Sequence, residues 1–146
     1  DKVNRAVFNR MIEKRLITQF SIGAYTENGE GRGANEYEDK TVVYNILRVL
    51  TKHNQYPGKG DMKDFHLFWD SKKLKGSDLR YWIPFSIGDY SRDIILGRDS
   101  NQKPFVCYAD AYYYYISEQE YADLSSQCKE AAGQAKQKYD AMTGVQ

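Results

Sequence analysis

The chain has 146 residues, enough for one core burying roughly two thirds of its unfolded surface, and it reads as a single domain over 1–146. Twenty-one basic residues against twenty acidic ones leave a net charge of +1, which gives no support to a nucleic-acid platform, since such domains carry a basic excess. The longest apolar run, at 41–50, is broken by Asn45 and Arg48 and falls short of the roughly 20 residues that a membrane-spanning helix needs.

Residues 3–16 place Val3, Val7 and Met11 beside Phe8, Ile12 and Leu16 at steps of three and four, the spacing of an amphipathic helix. The next stretch, ITQFSIGAY, fits a helix end or a short strand, and Gly23 tilts the reading toward strand. Three glycines among polar residues make 26–36 a loop; its GEGRG spacing lacks the strand and lysine of a phosphate-binding fingerprint. Asn35 with Glu38 reads as a capping pair for a second helix over 36–54, the most buried of the fold on the strength of Val42, Val43, Ile46, Leu47, Val49 and Leu50.

From residue 64 the period changes to two. Strands are expected over 64–70, 79–85, 93–99 and 104–116, with the polar turn formers of RDSNQK closing a hairpin. The last of them holds five of the thirteen tyrosines. Alternation puts Phe105, Cys107, Ala109, Ala111, Tyr113 and Tyr115 on one face, where small residues leave room for a helix. Tyr108, Asp110, Tyr112 and Tyr114 take the other. Ser117 and Glu120 form a capping box, and the helix behind them carries Tyr121, Leu124, Cys128, Ala131, Ala135, Tyr139 and Met142 as one stripe. The expected fold is α+β: two N-terminal helices, an antiparallel sheet of four or five strands, and a C-terminal helix packed on the sheet.

Two chemistries compete. Tyr108, Asp110, Tyr112 and Tyr114 on one sheet face suit a small soluble, non-catalytic module that engages a protein partner, as an immunity or inhibitor protein does. Tyrosine is enriched in such interfaces because it pairs a large apolar body with a polar tip. The alternative is a metal-independent ribonuclease or toxin domain using His66 with Arg80, Tyr81 and Arg92, helped by the basic cluster Lys72, Lys73 and Lys75; nucleic acid is a partner only under this reading. No cofactor is expected, and no metal, since His53 and His66 lack ligand spacing even if Asp61, Asp64 or Asp70 joined them. Cys107 and Cys128 meet in a disulfide if the C-terminal helix lies on the small-residue face; otherwise they are buried thiols. An N-terminal Asp1 without methionine slightly favours a secreted or periplasmic chain over a cytoplasmic one.

Overall fold

A computed structural model describes residues 2–25, 33–54, 80–99 and 101–144. Among these, the elements run α1 (Lys2–Glu13), β1 (Gln19–Tyr25), β2 (Asn35–Tyr37), α2 (Thr41–Leu50), β3 (Arg80–Ile87), β4 (Tyr90–Arg98), β5 (Pro104–Tyr108), β6 (Tyr112–Tyr115) and α3 (Glu118–Thr143). The strands form one antiparallel sheet in the order β2-β1-β3-β4-β5-β6, and α3 packs on it. The α+β class is as expected, with one or two more strands than the sequence pattern indicates. The expected strand at 64–70 lies outside the described residues.

Two of the differences have local causes. Asn35 and Glu36 do not open a helix; they pair with Ile22 and Ser21 as part of β2. The helix waits until Thr41, because Asp39 Oδ1 accepts from the Thr41 amide at 3.0 Å and from its hydroxyl at 2.6 Å. Those two bonds hold the Asp39 carboxyl below the usual carboxylate range.

The tyrosine strand is also not one strand. It folds back at Ala109 and Asp110, both at φ +55°, with the Ala111 amide donating to the Tyr108 carbonyl at 3.2 Å. Two successive left-handed residues are what a type I′ hairpin turn demands. Tyr108 then pairs with Tyr112, Cys107 with Tyr113 and Val106 with Tyr114. Directly paired residues share a face, so the expected division of side chains survives the fold-back.

The helix chooses the other face, however. Val106, Tyr108 and Tyr114 enter the main core with Phe8 and Met11 of α1, Ile46 and Leu47 of α2, and Leu124 and Cys128 of α3. Ile95, Phe105, Cys107 and Tyr113 form a second, smaller cluster edged by Trp82 and Tyr115. The shallow bed expected beneath α3 does not exist, because Ala109 and Ala111 belong to the turn. Cys107 and Cys128 consequently lie in clusters on opposite faces, and of the two alternatives, disulfide or buried thiols, they are the second. Burial pushes the Cys128 thiol up to about 12 and the Cys107 thiol higher still, so neither is a nucleophile at neutral pH.

The C-terminal helix begins as expected. Ser117 Oγ accepts from the Glu120 amide at 3.0 Å, and Glu120 Oε1 accepts from the Ser117 amide at 2.8 Å. Its 26 residues make a rod of about 39 Å, and the apolar stripe is buried only as far as Ala135. Tyr139 and Met142 are exposed. On α1, Val3 and Val7 are likewise outside the core, at 76% and 40% exposure.

Candidate binding cleft

Three elements meet where β4 begins. α1 contributes Asn4 and Val7, β4 contributes Tyr90 to Asp93, and the β5–β6 turn adds Tyr108, Ala109, Asp110 and Tyr112; between them lies a cleft of about 590 Å³. That volume falls in the roughly 300–1,000 Å³ range of ligand pockets. The turn is seated by its backbone, the Ala109 amide donating to the Asp93 carbonyl at 2.9 Å. This bond sets Asp110 next to Asp93.

The aromatic wall is only partly wet. The Phe8 ring meets Tyr108 edge-on at 4.8 Å between centroids, and Asn4 Nδ2 donates to the Tyr114 hydroxyl at 3.2 Å. Tyr108 and Tyr114 are thus 6% and 0% exposed, core residues beneath α1 rather than members of an open platform. Burial raises both phenols above their ordinary value. Tyr112 and Asp110 remain half-buried at the cleft, where the Tyr112 ring stands 6.4 Å from that of Tyr108. Of the four residues expected on a binding face, three line the cleft and Tyr114 lies behind it.

Arg92 is held within the wall. Its guanidinium lies 4.0 Å over the Tyr90 ring, donates to the Tyr90 hydroxyl, and donates through Nη1 to the Ser91 carbonyl at 2.9 Å. Successive strand residues point to opposite faces, so Arg92 turns toward Tyr90 and Tyr108 while Asp93 turns toward Trp82, whose Nε1 donates to Asp93 Oδ2 at 3.2 Å. The adjacent cation therefore does not neutralise Asp93. Among the described residues no ion pair reaches Asp93 or Asp110. Asp110's carboxyl sits above its ordinary value, first because of burial and then because of the Asp93 charge.

The ribonuclease set is not assembled by the described residues. Gly97 faces Arg80 across the β3–β4 pair, where a Cβ would stand 2.8 Å from Arg80 Cγ, and Arg92 lies five residues back along β4. At about 3.4 Å per residue that separation is roughly 17 Å. Arg80 and Tyr81 are both buried, and burial, followed by Cys128 and Tyr121, pushes the Tyr81 phenol up to about 12. His66 and the lysines at 72, 73 and 75 lie outside the described residues, as do Asp61, Asp64 and Asp70. His53 sits just after α2, its Nε2 donating to Glu120 Oε1 at 2.7 Å. Among the described residues no group of three His, Cys, Asp or Glu side chains has metal-site geometry, and no helix is long and apolar enough to cross a membrane.

Sequence reasoning missed Asn4, Val7, Tyr90 and Asp93 as cleft residues. Two of them carried a signal: a valine at a helical core spacing that the core does not take, and a tyrosine in a polar turn. No family model matches the chain, and comparisons with curated proteins and with solved structures return no match.

Proposed function

We propose that this chain is a non-catalytic binding module that engages a protein partner, in the manner of an immunity or inhibitor protein, through the cleft between α1, β4 and the β5–β6 turn. The observation that carries this reading is the make-up of the cleft wall: half-buried Tyr112, exposed Tyr90 and exposed Val7 around a few charged groups. Interfaces are built this way, with aromatic anchors that bury well at small entropic cost and a polar surround that orients the partner. Burial of Arg80 and Tyr81, and the distance of Arg80 from Arg92, weigh against the ribonuclease reading. The Asp110 carboxylate at the cleft weighs against it too, because it repels a phosphate.

The test has two arms. Affinity capture from the source cells with the intact chain should return a partner that Val7→Asp and Tyr112→Ala both lose, while Tyr139→Ala at the far end of the molecule retains it. Specific cleavage of RNA by the purified chain, abolished by His66→Ala, overturns the proposal in favour of the nuclease.

A further inference from the structure

We infer a second interaction surface, separate from the cleft: the outer edge of β2, which takes an extended strand of a partner protein in which basic and apolar residues alternate. The sheet order puts β2 at the opposite end from β5 and β6, and among the described residues no strand lies beyond it. In an antiparallel pair every second residue turns its amide and carbonyl away from its neighbour, so an end strand offers main-chain donors and acceptors to a newcomer. Helix α3 shows the room for one. It crosses the strands in sheet order: Glu118 meets Arg98 of β4, Tyr121 and Cys128 lie beside Tyr81 of β3, and Gln134 accepts from the Tyr37 hydroxyl of β2. From Ala135, its last buried residue, the helix runs on to Thr143, about 12 Å further. Neighbouring strands are only about 4.8 Å apart.

Two features give the newcomer its chemistry. The first is that the apolar stripe of α3 continues past the buried part of the helix. Tyr139 and Met142 follow Ala135 on the same helical face and are 52% and 77% exposed. With Ala135, Lys138, Glu36 and Glu38 they line a hollow of about 300 Å³ beside the β2 edge. A short, charged end strand is a common guard against stray pairing, but a guarded edge has no apolar overhang. The second feature is charge. Tyr37 pairs with Phe20 and shares its α3 side, so Glu36, paired with Ser21, points to the side away from the helix. A strand laid on β2 therefore sets apolar residues toward Tyr139 and Met142 and, between them, a residue opposite exposed Glu36, where a basic side chain is favoured. The same charge disfavours a second copy of the chain. Two β2 edges in contact would bring Glu36 and Glu38 close to those of the other copy, and like charges across a strand pair are destabilising.

The probe is a blocked heptapeptide, Thr-Val-Lys-Val-Lys-Val-Thr, titrated into the intact chain and followed by NMR. It should shift the amides of Asn35 to Glu38 and the Tyr139 and Met142 signals saturably, and slow amide exchange within β2. The counterpart with glutamate in place of lysine should bind at least tenfold more weakly. The lysine peptide N-methylated throughout should not bind, because it has no main-chain donors. Glu36→Lys should reverse the preference between the lysine and glutamate peptides, and Met142→Ser should weaken the lysine peptide several-fold; both side chains are exposed, so the fold tolerates either change. Absence of a saturable shift at β2, full-strength binding of the N-methylated peptide, or an unchanged preference in Glu36→Lys overturns the inference. So does a concentration-dependent dimer with slowed β2 exchange in the absence of peptide, which assigns the edge to a second copy. The cleft proposal stands or falls separately, since Val7→Asp should bind the lysine peptide as the wild type does.

Discussion

Ala109 carries the clearest local strain in the described chain. It sits at φ +55° without the side-chain carbonyl that lets asparagine or aspartate tolerate that region, and the next residue, Asp110, is also at +55°. A left-handed conformation costs an alanine about 1–2 kcal/mol, whereas glycine adopts it freely at an entropic cost nearer 0.5–1 kcal/mol. Ala109→Gly should therefore raise stability by roughly 0.5–1 kcal/mol, measured as a higher urea midpoint at unchanged slope. A lower midpoint would mean that the Ala109 methyl, which packs against the core, is worth more than the strain. The turn was not legible because Ala-Asp-Ala has no hairpin signature. The turn also leans on the neighbouring strand, where the Ala109 amide donates to the Asp93 carbonyl.

The start of α3 ties three parts of the chain together. Ser117 and Glu120 close the capping box, Glu120 also accepts from His53 after α2, and Arg98 at the end of β4 pairs with Glu118 through both guanidinium nitrogens at 3.0 and 2.8 Å. Removing the cap with Ser117→Ala should cost about 1 kcal/mol. Burial works to raise the Glu120 carboxyl, but the Ser117 amide and His53 outweigh it, and the net position is below the ordinary glutamate value of 4.5. A carboxyl depressed in the folded state contributes stability above its unfolded value and loses it as pH falls through the folded one. Thermal unfolding of the wild type should accordingly show destabilisation setting in below about pH 4.5, and Glu120→Gln should flatten that part of the profile. An unchanged acid limb in Glu120→Gln would assign the loss to other carboxylates.

Helix α1 is attached to the rest of the fold chiefly by Phe8 and Met11, both buried to within 2%, and it forms one wall of the cleft. Phe8→Ala should cost about 3–5 kcal/mol, a large part of the roughly 5–15 kcal/mol that a domain of this size possesses. It should also bare the faces of Tyr108 and Tyr114, read as a gain in binding of a hydrophobic dye under native conditions. A cost below about 1 kcal/mol, outside the range for a buried phenylalanine, would show that α1 is not anchored through this ring. Because Asn4 and Val7 ride on the same helix, the variant should weaken partner binding along with stability.

Local chemistry was enough for much of this architecture. Periodicity placed both N-terminal helices, the strands around 79–99 and the C-terminal helix, and the Ser117–Glu120 cap was readable because a capping box is satisfied within four residues. Alternation also sorted the tyrosines correctly into two sets, since paired residues share a face whether or not the strand folds back. Which set faces the helices was not local information. Each set offers apolar surface, and the choice turned on Ala109 and Ala111 falling in a turn, leaving the Val106, Tyr108 and Tyr114 face for Phe8 and Leu124 to bury. The separation of Cys107 from Cys128 and the covering of Tyr114 by Asn4 both follow from that single choice. The cleft has the same origin. Asn4, Arg92 and Asp110 line one cleft only because α1 seats Phe8 and Asn4 against Tyr108 and Tyr114, and no pattern within any one of those segments encodes the meeting.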